Sequence, residues 1–591
     1  MKIKTVEIRN FRSIKHLELD FENITTLIGQ NGAGKSNILK ALNVFFVEEP
    51  IDFINPDNWH NGDKHEDIEI SITFENLPAQ AEQELKNYFR DGKLTVALSV
   101  AFEKGNKYFG KRLVLEAFKV YFDAKKGGAK SPELKVIYNT IRVDFNELPK
   151  VSTLGGMEEA LREYEENAPD SDKVLIDSED NFYGSIKAGK LNKFLDYIYV
   201  PAVKDMTRET ENSKGSVFSK LLTIVANEGE IEESIEKLNA ETKAKVDGIV
   251  KENKADLDVA SEKLTGELQR WAHPETSIQL IRKPDDNPLK MPNVFSTMKE
   301  GSFEGNIDKF GHGLHRSFLF ALLNTWKHFS SQADVVDKAD EREVIPKVLI
   351  FAIEEPELYQ HPFQIRKIAS VLRDLSDNGK IQTILTTHSP LLLQPDLPGT
   401  IKRITKKDSV SEVQIFDSSH IDRFRGKIPS DIYRLLNENV SEMLFADKVV
   451  LVEGKSDIPY IRTYWSQTRD APFPLPIISF DGKDKIKPIK LARAFGIDTF
   501  VIFDMDNGKN PNQEMLSLLD IDIKDVTSNE IFVRDTDFAW PKTIEERINA
   551  EMQNFDQSKV KKEPLKIAER LIDAMQKGDK SPSMEKLLYQ L

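Results

Sequence analysis

Gly29-Gln30-Asn31-Gly32-Ala33-Gly34-Lys35-Ser36 decides the reading of the first part of this chain. The stretch matches GxxxxGK[ST] in full. It follows the β-branched run Ile24-Thr25-Thr26-Leu27-Ile28 and leads into the helix-like Asn37-Ile38-Leu39-Lys40-Ala41-Leu42. A strand, a glycine-rich turn and a helix in that order form a phosphate cradle. Gly29, Gly32 and Gly34 let the N–H groups of the loop, that of Asn31 among them, turn inward around the phosphates. The N-terminus of the following helix adds positive potential. Lys35 is placed to reach the β- and γ-phosphates, and the Ser36 hydroxyl to ligate Mg²⁺. The expected ligand is ATP with Mg²⁺.

A partner strand lies far downstream. Val348-Leu349-Ile350-Phe351-Ala352-Ile353 is apolar throughout and runs into Glu354-Glu355-Pro356-Glu357. Carboxylates at the C-terminal end of a buried parallel strand sit where such sheets bind ligands. Glu354 is expected in the Mg²⁺ shell, and Glu355 as the residue that orients or deprotonates the attacking water. His388, at the end of the apolar run Gln382-Thr383-Ile384-Leu385-Thr386-Thr387, is a candidate γ-phosphate contact. Phe310-Gly311-His312-Gly313-Leu314-His315-Arg316 opens another helix-like segment, where Gly311 and Gly313 could present N–H groups to a phosphate. Lys35 and Glu354 are too far apart for a compact P-loop domain. The set resembles the ABC-type ATPases of the structural-maintenance and recombination-repair group, which split their ATPase around an insert. The resemblance implies that the segment at Gly311 takes the place of the signature motif, although it departs from LSGGQ. It further implies a dimer in which one subunit's signature completes the other's site, and a nucleotide-contacting role for Arg12.

A second acidic constellation closes the chain. Lys448-Val449-Val450-Leu451-Val452 runs into Glu453-Gly454-Lys455-Ser456-Asp457, and further along Thr499-Phe500-Val501-Ile502-Phe503 runs into Asp504-Met505-Asp506. Side chains two apart on a strand share a face, so Asp504 and Asp506 can meet one cation. Carboxylates converging at strand ends repel one another unless a hard cation lies among them. A strand followed by Glu-Gly, then a strand followed by Asp-x-Asp, resembles the Toprim domain of topoisomerases, primases and nucleases. The reading that follows is phosphodiester hydrolysis with one or two Mg²⁺ ions, Mn²⁺ being an alternative. Glu453 serves as general acid or base and ligand, and Asp457, Asp504 and Asp506 as ligands. Glu545 is a candidate for a second metal site, and Lys580 for charge stabilisation on the scissile phosphate. Lys483, Lys485, Lys487, Lys490 and Arg493 form a basic run that either tracks a DNA backbone or is a solvated helix face.

At 591 residues the chain is too long for one ordinary core. Hydrophobic residues at 39% and charged residues at 30% are ordinary for a soluble protein. No apolar run of about eighteen residues offers a membrane span. The absence of cysteine excludes disulfides and thiolate metal sites, leaves oxygen and imidazole ligands, and makes the cytoplasm the default location. A net charge of −15 argues against a protein that coats nucleic acid by bulk charge, yet it allows a local basic groove.

The expected fold class is α/β: a split ABC-type ATPase with a helical insert, followed by a C-terminal Toprim domain with a largely parallel sheet. Its parts are residues 1–206 and 276–439 for the ATPase, 207–275 for an insert that either packs on its own ATPase or dimerises, and 440–591 for the Toprim nuclease domain. Together these features resemble the OLD (overcoming lysogenization defect) family, which includes the Gabija ATPase–nuclease subunit and retron-associated effectors. The resemblance implies a nucleotide-gated DNA endonuclease of bacterial antiphage defence. It also implies a homodimer or higher oligomer, with an accessory defence protein or retron nucleic acid as further partners. The alternative is a repair-type ABC ATPase whose Toprim region serves as a binding module.

Overall fold

The computed structural model describes residues 1–47, 51–168, 173–177, 191–202, 297–336, 348–416, 439–480, 486–505 and 513–591, apart from a few positions inside these ranges, with scattered positions between 235 and 265. The helical insert expected at 207–275 falls outside the described residues except at those positions. The sequence also puts the junction between the ATPase and Toprim parts at or near Pro429–Asn439, and nearly all of that stretch lies outside the described residues. The chain divides into two compact units, 1–202 with 343–591, and 203–342.

In the first unit, an antiparallel sheet is built from β1 (Lys2–Phe11), β2 (Ile14–Asp20), β4 (Ile68–Glu75), β5 (Phe89–Arg90), β6 (Lys93–Ala101), β7 (Gly105–Leu115) and β8 (Lys173–Asp177), in the order β2-β1-β4-β6-β7-β8 with β5 on β6. Alternation along β4 buries Ile68, Ile70, Ile72 and Phe74 in the same core as Ile38, Leu39, Leu42 and Phe45 of helix α1 (Lys35–Val47). Three helices follow β7: α2 (Glu116–Lys126), α3 (Ser131–Asp144) and α4 (Leu154–Asn167). They close a core of their own around Phe118, Tyr121, Phe122, Leu134, Tyr138, Met157 and Leu161. These helices were not anticipated from the sequence, although Leu134, Tyr138 and Ile141 carry the helical spacing.

The nucleotide-type sheet runs β15-β14-β3-β13-β12-β9, from β3 (Ile24–Ile28), β9 (Leu195–Val200), β12 (Val348–Glu354), β13 (Ile381–Thr386), β14 (Ile401–Lys407) and β15 (Val410–Gln414). All pairs are parallel except β14–β15. Every residue of β3 and β13 is buried, as expected of strands covered on both faces. Segments far apart in sequence therefore meet: the ends of β3, β13 and β12 lie side by side.

The C-terminal sheet runs β17-β16-β18-β20-β19, from β16 (Lys448–Val452), β17 (Ile477–Ser479), β18 (Asp498–Asp504), β19 (Phe532–Val533) and β20 (Asp537–Trp540). Only the β19–β20 pair is antiparallel. Strand alternation gives each face its own partner. Val449, Leu451, Val501 and Phe503 share a core with Ile28, Leu393 and Ile401 of the ATPase. Val450, Val452, Phe500 and Ile502 share the other with Tyr460, Tyr464, Ile567, Leu571 and Leu587.

The second unit contains the hairpin β10 (Thr297–Glu300) and β11 (Phe303–Asn306), then helix α5 (His312–Val336).

Candidate ATPase and Toprim sites

The P-loop turns directly from β3 into α1. Gly29 and Gly34 adopt φ values of 139° and 110°, which side chains rarely tolerate. The space around them forbids a side chain as well. A Cβ on Gly29 would lie 2.0 Å from the Ile404 carbonyl oxygen, and one on Gly34 would lie 2.2 Å from Ser411 Oγ. Lys35 is buried and donates to the Gly29 and Gln30 carbonyls, both at 2.9 Å. Burial lowers its pKa to about 8, against the raising effect of Glu355 and Glu357. Ser36 follows, half-buried, on the first turn of α1.

Three acidic residues surround the neighbouring strand ends. Glu354 is buried and accepts from the Ala202 N–H at 3.1 Å. Glu355 takes a positive φ of 43° and lies 3.9 Å from His388 Nε2. Glu357 accepts from Thr387 Oγ1 at 2.8 Å and from the His388 N–H at 2.7 Å. Burial and the charge of Lys35 lower the His388 pKa, while Glu355 and Glu357 oppose them. Lys35, Glu355, Glu357 and His388 thus form one electrostatic group at the strand ends. Glu357 was quoted in the sequence motif without a role, and only the fold brings it to His388.

The Toprim carboxylates are set by the pairing of β16 with β18. The Glu453 N–H donates to the Ile502 carbonyl at 3.1 Å, and the Asp504 N–H donates to Glu453 Oε2 at 2.9 Å. Asp457 opens helix α6 (Asp457–Thr468), where it is buried and accepts from the Gly454 N–H at 2.9 Å and from Ser456 Oγ at 3.3 Å. Burial, with the charges of Glu545 and Glu453, raises its carboxyl to about 7. Glu545 is buried on the first turn of helix α7 (Ile544–Glu551). Asp506 falls outside the described residues.

Among the described residues no group of three His, Asp or Glu side chains is arranged to hold an ion. Glu453 and Asp457 each turn one oxygen to a backbone N–H instead. The donor set fits a hard divalent cation nonetheless, because it is made of carboxylates, with the charges of Glu545 and Glu453 adding to the burial that raises Asp457.

Lys580 is exposed in the turn between helices α8 (Pro564–Gln576) and α9 (Pro582–Gln590). Ser581 pins that turn, with its N–H donating to Tyr464 Oη at 2.9 Å and its hydroxyl to Glu551 Oε2 at 2.5 Å. Tyr464 belongs to α6 and Glu551 to α7, the helices that begin at Asp457 and just before Glu545. The turn carrying Lys580 is therefore fixed to the elements carrying two of the carboxylates. Sequence reasoning missed this network, and also Tyr460, whose buried hydroxyl has no hydrogen-bond partner among the described residues and feels the charges of Glu545 and Asp457.

Comparison with known proteins finds both domains. Residues 1–393 match the AAA ATPase domain model, and residues 444–506 match the overcoming lysogenization defect protein-like TOPRIM domain. The chain belongs to the OLD family. It is 24% identical to the Old nuclease of Escherichia phage P2 over 86% of this chain and 77% of that protein. It is 22% identical to Endonuclease GajA of Bacillus cereus over 77% of this chain and 66% of that protein. A third relative, the OLD nuclease of Thermus scotoductus, is 20% identical over 85% of this chain and 82% of its own length. Membership carries ATPase and endonuclease activity.

The remaining expectations for this OLD-family chain fare unevenly. Gly311 and Gly313 lie in the second unit, at the start of α5, where the Leu314 and His315 N–H groups donate to the Gly311 carbonyl. Arg12 takes a φ of 52°, stacks over the Phe11 ring and donates to Asn58 Oδ1 at 3.2 Å. Of the basic run, Lys483 and Lys485 are outside the described residues, and Lys487 is exposed. Arg493 instead turns inward, donating to the Leu518 carbonyl. It bonds to the last turn of the helix at Gln513–Leu519, so the run is not uniformly a solvated surface.

One hairpin touches both the P-loop and the Toprim domain of the OLD chain. Strands β14 and β15 meet the P-loop at Ile404 and Ser411, and Ser411 Oγ lies 2.8 Å from Ser13 Oγ. Ser13 also accepts from Asn37 Nδ2, at the start of α1. On the Toprim side, Arg403 of β14 reaches Ala446, Asp447 and Gly496, and Phe416 lies against Phe495.

Proposed function

We propose that this ATPase–nuclease is a divalent-metal-dependent DNA endonuclease whose cleavage is regulated by nucleotide, acting as an effector of bacterial antiphage defence in the cytoplasm. The observation that carries the reading is the meeting of Glu453 with Asp504 at adjacent ends of parallel strands, with Asp457 and Glu545 near enough to raise a proton affinity. A binding module has no need of such a cluster, which weighs against the repair-ATPase alternative.

In this reading Glu453, Asp457, Asp504, Asp506 and Glu545 hold Mg²⁺ or Mn²⁺, and Lys580 neutralises charge on the scissile phosphate. A bound divalent ion supplies Lewis-acid stabilisation of phosphate oxygens. Glu453 Oε is the acceptor for the proton of an attacking water. At the other site Gly29, Asn31, Gly32, Gly34 and Lys35 bind the phosphates of ATP. Ser36 and Glu354 hold its Mg²⁺, Glu355 directs the attacking water, and His388 faces the γ-phosphate. Gly311 and Gly313 act across a homodimer. The division 1–206, 207–275, 276–439 and 440–591 goes with this reading, as do DNA and a defence-system partner as binding partners.

Regulation is supported by the β14–β15 hairpin. Coupling between sites needs a physical element that both sites bias. An element packed on Gly29 and Gly34 at one end is clamped at the other to the residues that open β16 and β18, the two strands whose far ends carry Glu453 and Asp504.

The test is plasmid nicking with Mg²⁺ or Mn²⁺, with and without ATP, for wild type and Glu453→Ala. Cleavage that disappears in the variant is expected. Equal cleavage by both proteins would remove Glu453 from the nuclease site, and no cleavage by wild type under any condition would favour the repair-ATPase alternative.

A further inference from the structure

The turn after β12 is built to send one carboxylate sideways. Pro356 follows the positive-φ Glu355, and the Leu358 N–H donates back to the Glu355 carbonyl at 3.1 Å. This tight turn leaves Glu357 beside the end of β13 rather than beyond the end of its own strand. There Glu357 Oε1 accepts two hydrogen bonds, from Thr387 Oγ1 at 2.8 Å and from the His388 N–H at 2.7 Å. Thr387 Oγ1 in turn accepts from the Ser389 N–H at 2.9 Å. The backbone N–H groups past the end of β13 would otherwise lack the partners that a sheet provides. Charge-assisted bonds of this kind are short and strong, and they fix orientation as well as position.

The His388 ring is held between two further groups. Its Nε2 lies 3.9 Å from Glu355, and its ring centroid is 6.4 Å from that of Phe445. Glu357 Oε2 is buried and accepts no hydrogen bond from the described residues, and its charge acts on Lys35. Glu357 thus bonds with its carboxylate to the N–H of the histidine itself.

We propose that Glu357 is a positioning residue for ATP hydrolysis: by gripping Thr387 and the His388 N–H, it fixes His388 at the place where the terminal phosphate reacts. This rests on the reading of Lys35 and His388 as parts of the ATP site. A positioning group acts on turnover through geometry, because a misplaced contact costs rate while nucleotide binding, carried mostly by the P-loop, is retained.

The test measures kcat and KM for ATP hydrolysis by the full chain, and the affinity for a non-hydrolysable ATP analogue with Mg²⁺. Wild type is compared with Glu357→Ala, Glu357→Gln, Thr387→Val and Lys35→Ala. Glu357→Ala is expected to lower kcat at least about tenfold, with analogue affinity retained. Glu357→Gln should recover most of that loss, because its amide oxygen accepts the same two bonds, and Thr387→Val, which removes one donor, should fall between. Wild-type turnover in Glu357→Ala would overturn the proposal. So would a loss of kcat and affinity together that glutamine does not rescue. Should Glu357→Ala fail to fold, the ordering of wild type, Glu357→Gln and Thr387→Val decides, and wild-type turnover in Thr387→Val counts against the proposal. Unimpaired hydrolysis by Lys35→Ala would sink the ATP-site reading itself, a result separate from any of these.

Discussion

Arg403 Nη2 lies 2.8 Å from Asp447 Oδ1 and 2.7 Å from the Ala446 carbonyl oxygen, while Nη1 donates to the Gly496 carbonyl at 3.3 Å. The arginine side chain is 3% exposed and the aspartate 56%. The two partners of this ion pair therefore have different environments. Arg403 is a β14 residue reaching across the shared core to both β16 and the loop before β18. Asp447 is a half-solvated acceptor among three.

The asymmetry gives the first expectation. Arg403→Leu removes a buried side chain that donates to two carbonyls and a carboxylate, and should destabilise the chain by about 1–3 kcal/mol. Asp447→Asn removes only a screened charge and should cost no more than about 1 kcal/mol. Denaturant unfolding of both variants decides, and equal losses would show that the ion pair rather than the carbonyl bonds holds this junction.

Ser411 tests the hairpin as a link between sites. Ser411→Ala removes the bond to Ser13 and relaxes the contact at Gly34 while leaving the Toprim residues untouched. Cleavage without nucleotide should stay at the wild-type rate. The ratio of cleavage with ATP to cleavage without it should change about threefold or more. An unchanged ratio would place the coupling elsewhere.

Lys580 is exposed, so its replacement should not disturb folding. Lys580→Ala should nevertheless slow cleavage by about 10²–10³, the cost of losing a charge aimed at a developing oxyanion. Thermal unfolding at the wild-type temperature combined with wild-type cleavage would reduce this lysine to a surface residue.

Glu551 sets a pH dependence. Burial acts to raise its pKa, but hydrogen bonds from Ser581 and Ser583 and the charge of Arg547 outweigh burial and hold the carboxyl below its ordinary value of 4.5. A group depressed on folding stabilises above its unfolded pKa and loses that contribution as pH falls through the folded one. The melting-temperature advantage of wild type over Glu551→Gln should therefore be steady above about pH 4.5 and shrink in more acidic buffer. An advantage that persists unchanged into acid would mean that shape rather than charge holds the Ser581 turn.

The P-loop, the acidic end of β12 and the two Toprim strand ends were legible from the sequence because each is a local string whose chemistry depends on neighbours in the chain. An apolar strand, a turn and a carboxylate or glycine cluster signal the C-terminal edge of a parallel sheet wherever they occur. Helices α2 to α4 are legible in the same way, since Leu134, Tyr138 and Ile141 keep the spacing of one buried helix face.

Other features were beyond any local pattern. Burial of Asp457, the grip of Glu357 on His388 and the inward turn of Arg493 all depend on which strand ends and loops become neighbours. The Ser13–Ser411 contact spans 398 residues, and the face of β16 that holds Val449 and Leu451 packs with Ile28 and Ile401 of the ATPase. Periodicity of two states that a strand has two faces, but it does not name what covers each one. The sequence by itself determined that the chain has an ATPase site and an acidic Toprim site. Only the tertiary structure decided that one hairpin lies against both the P-loop and the Toprim domain, because that juxtaposition arises from burial of apolar surface between segments hundreds of residues apart.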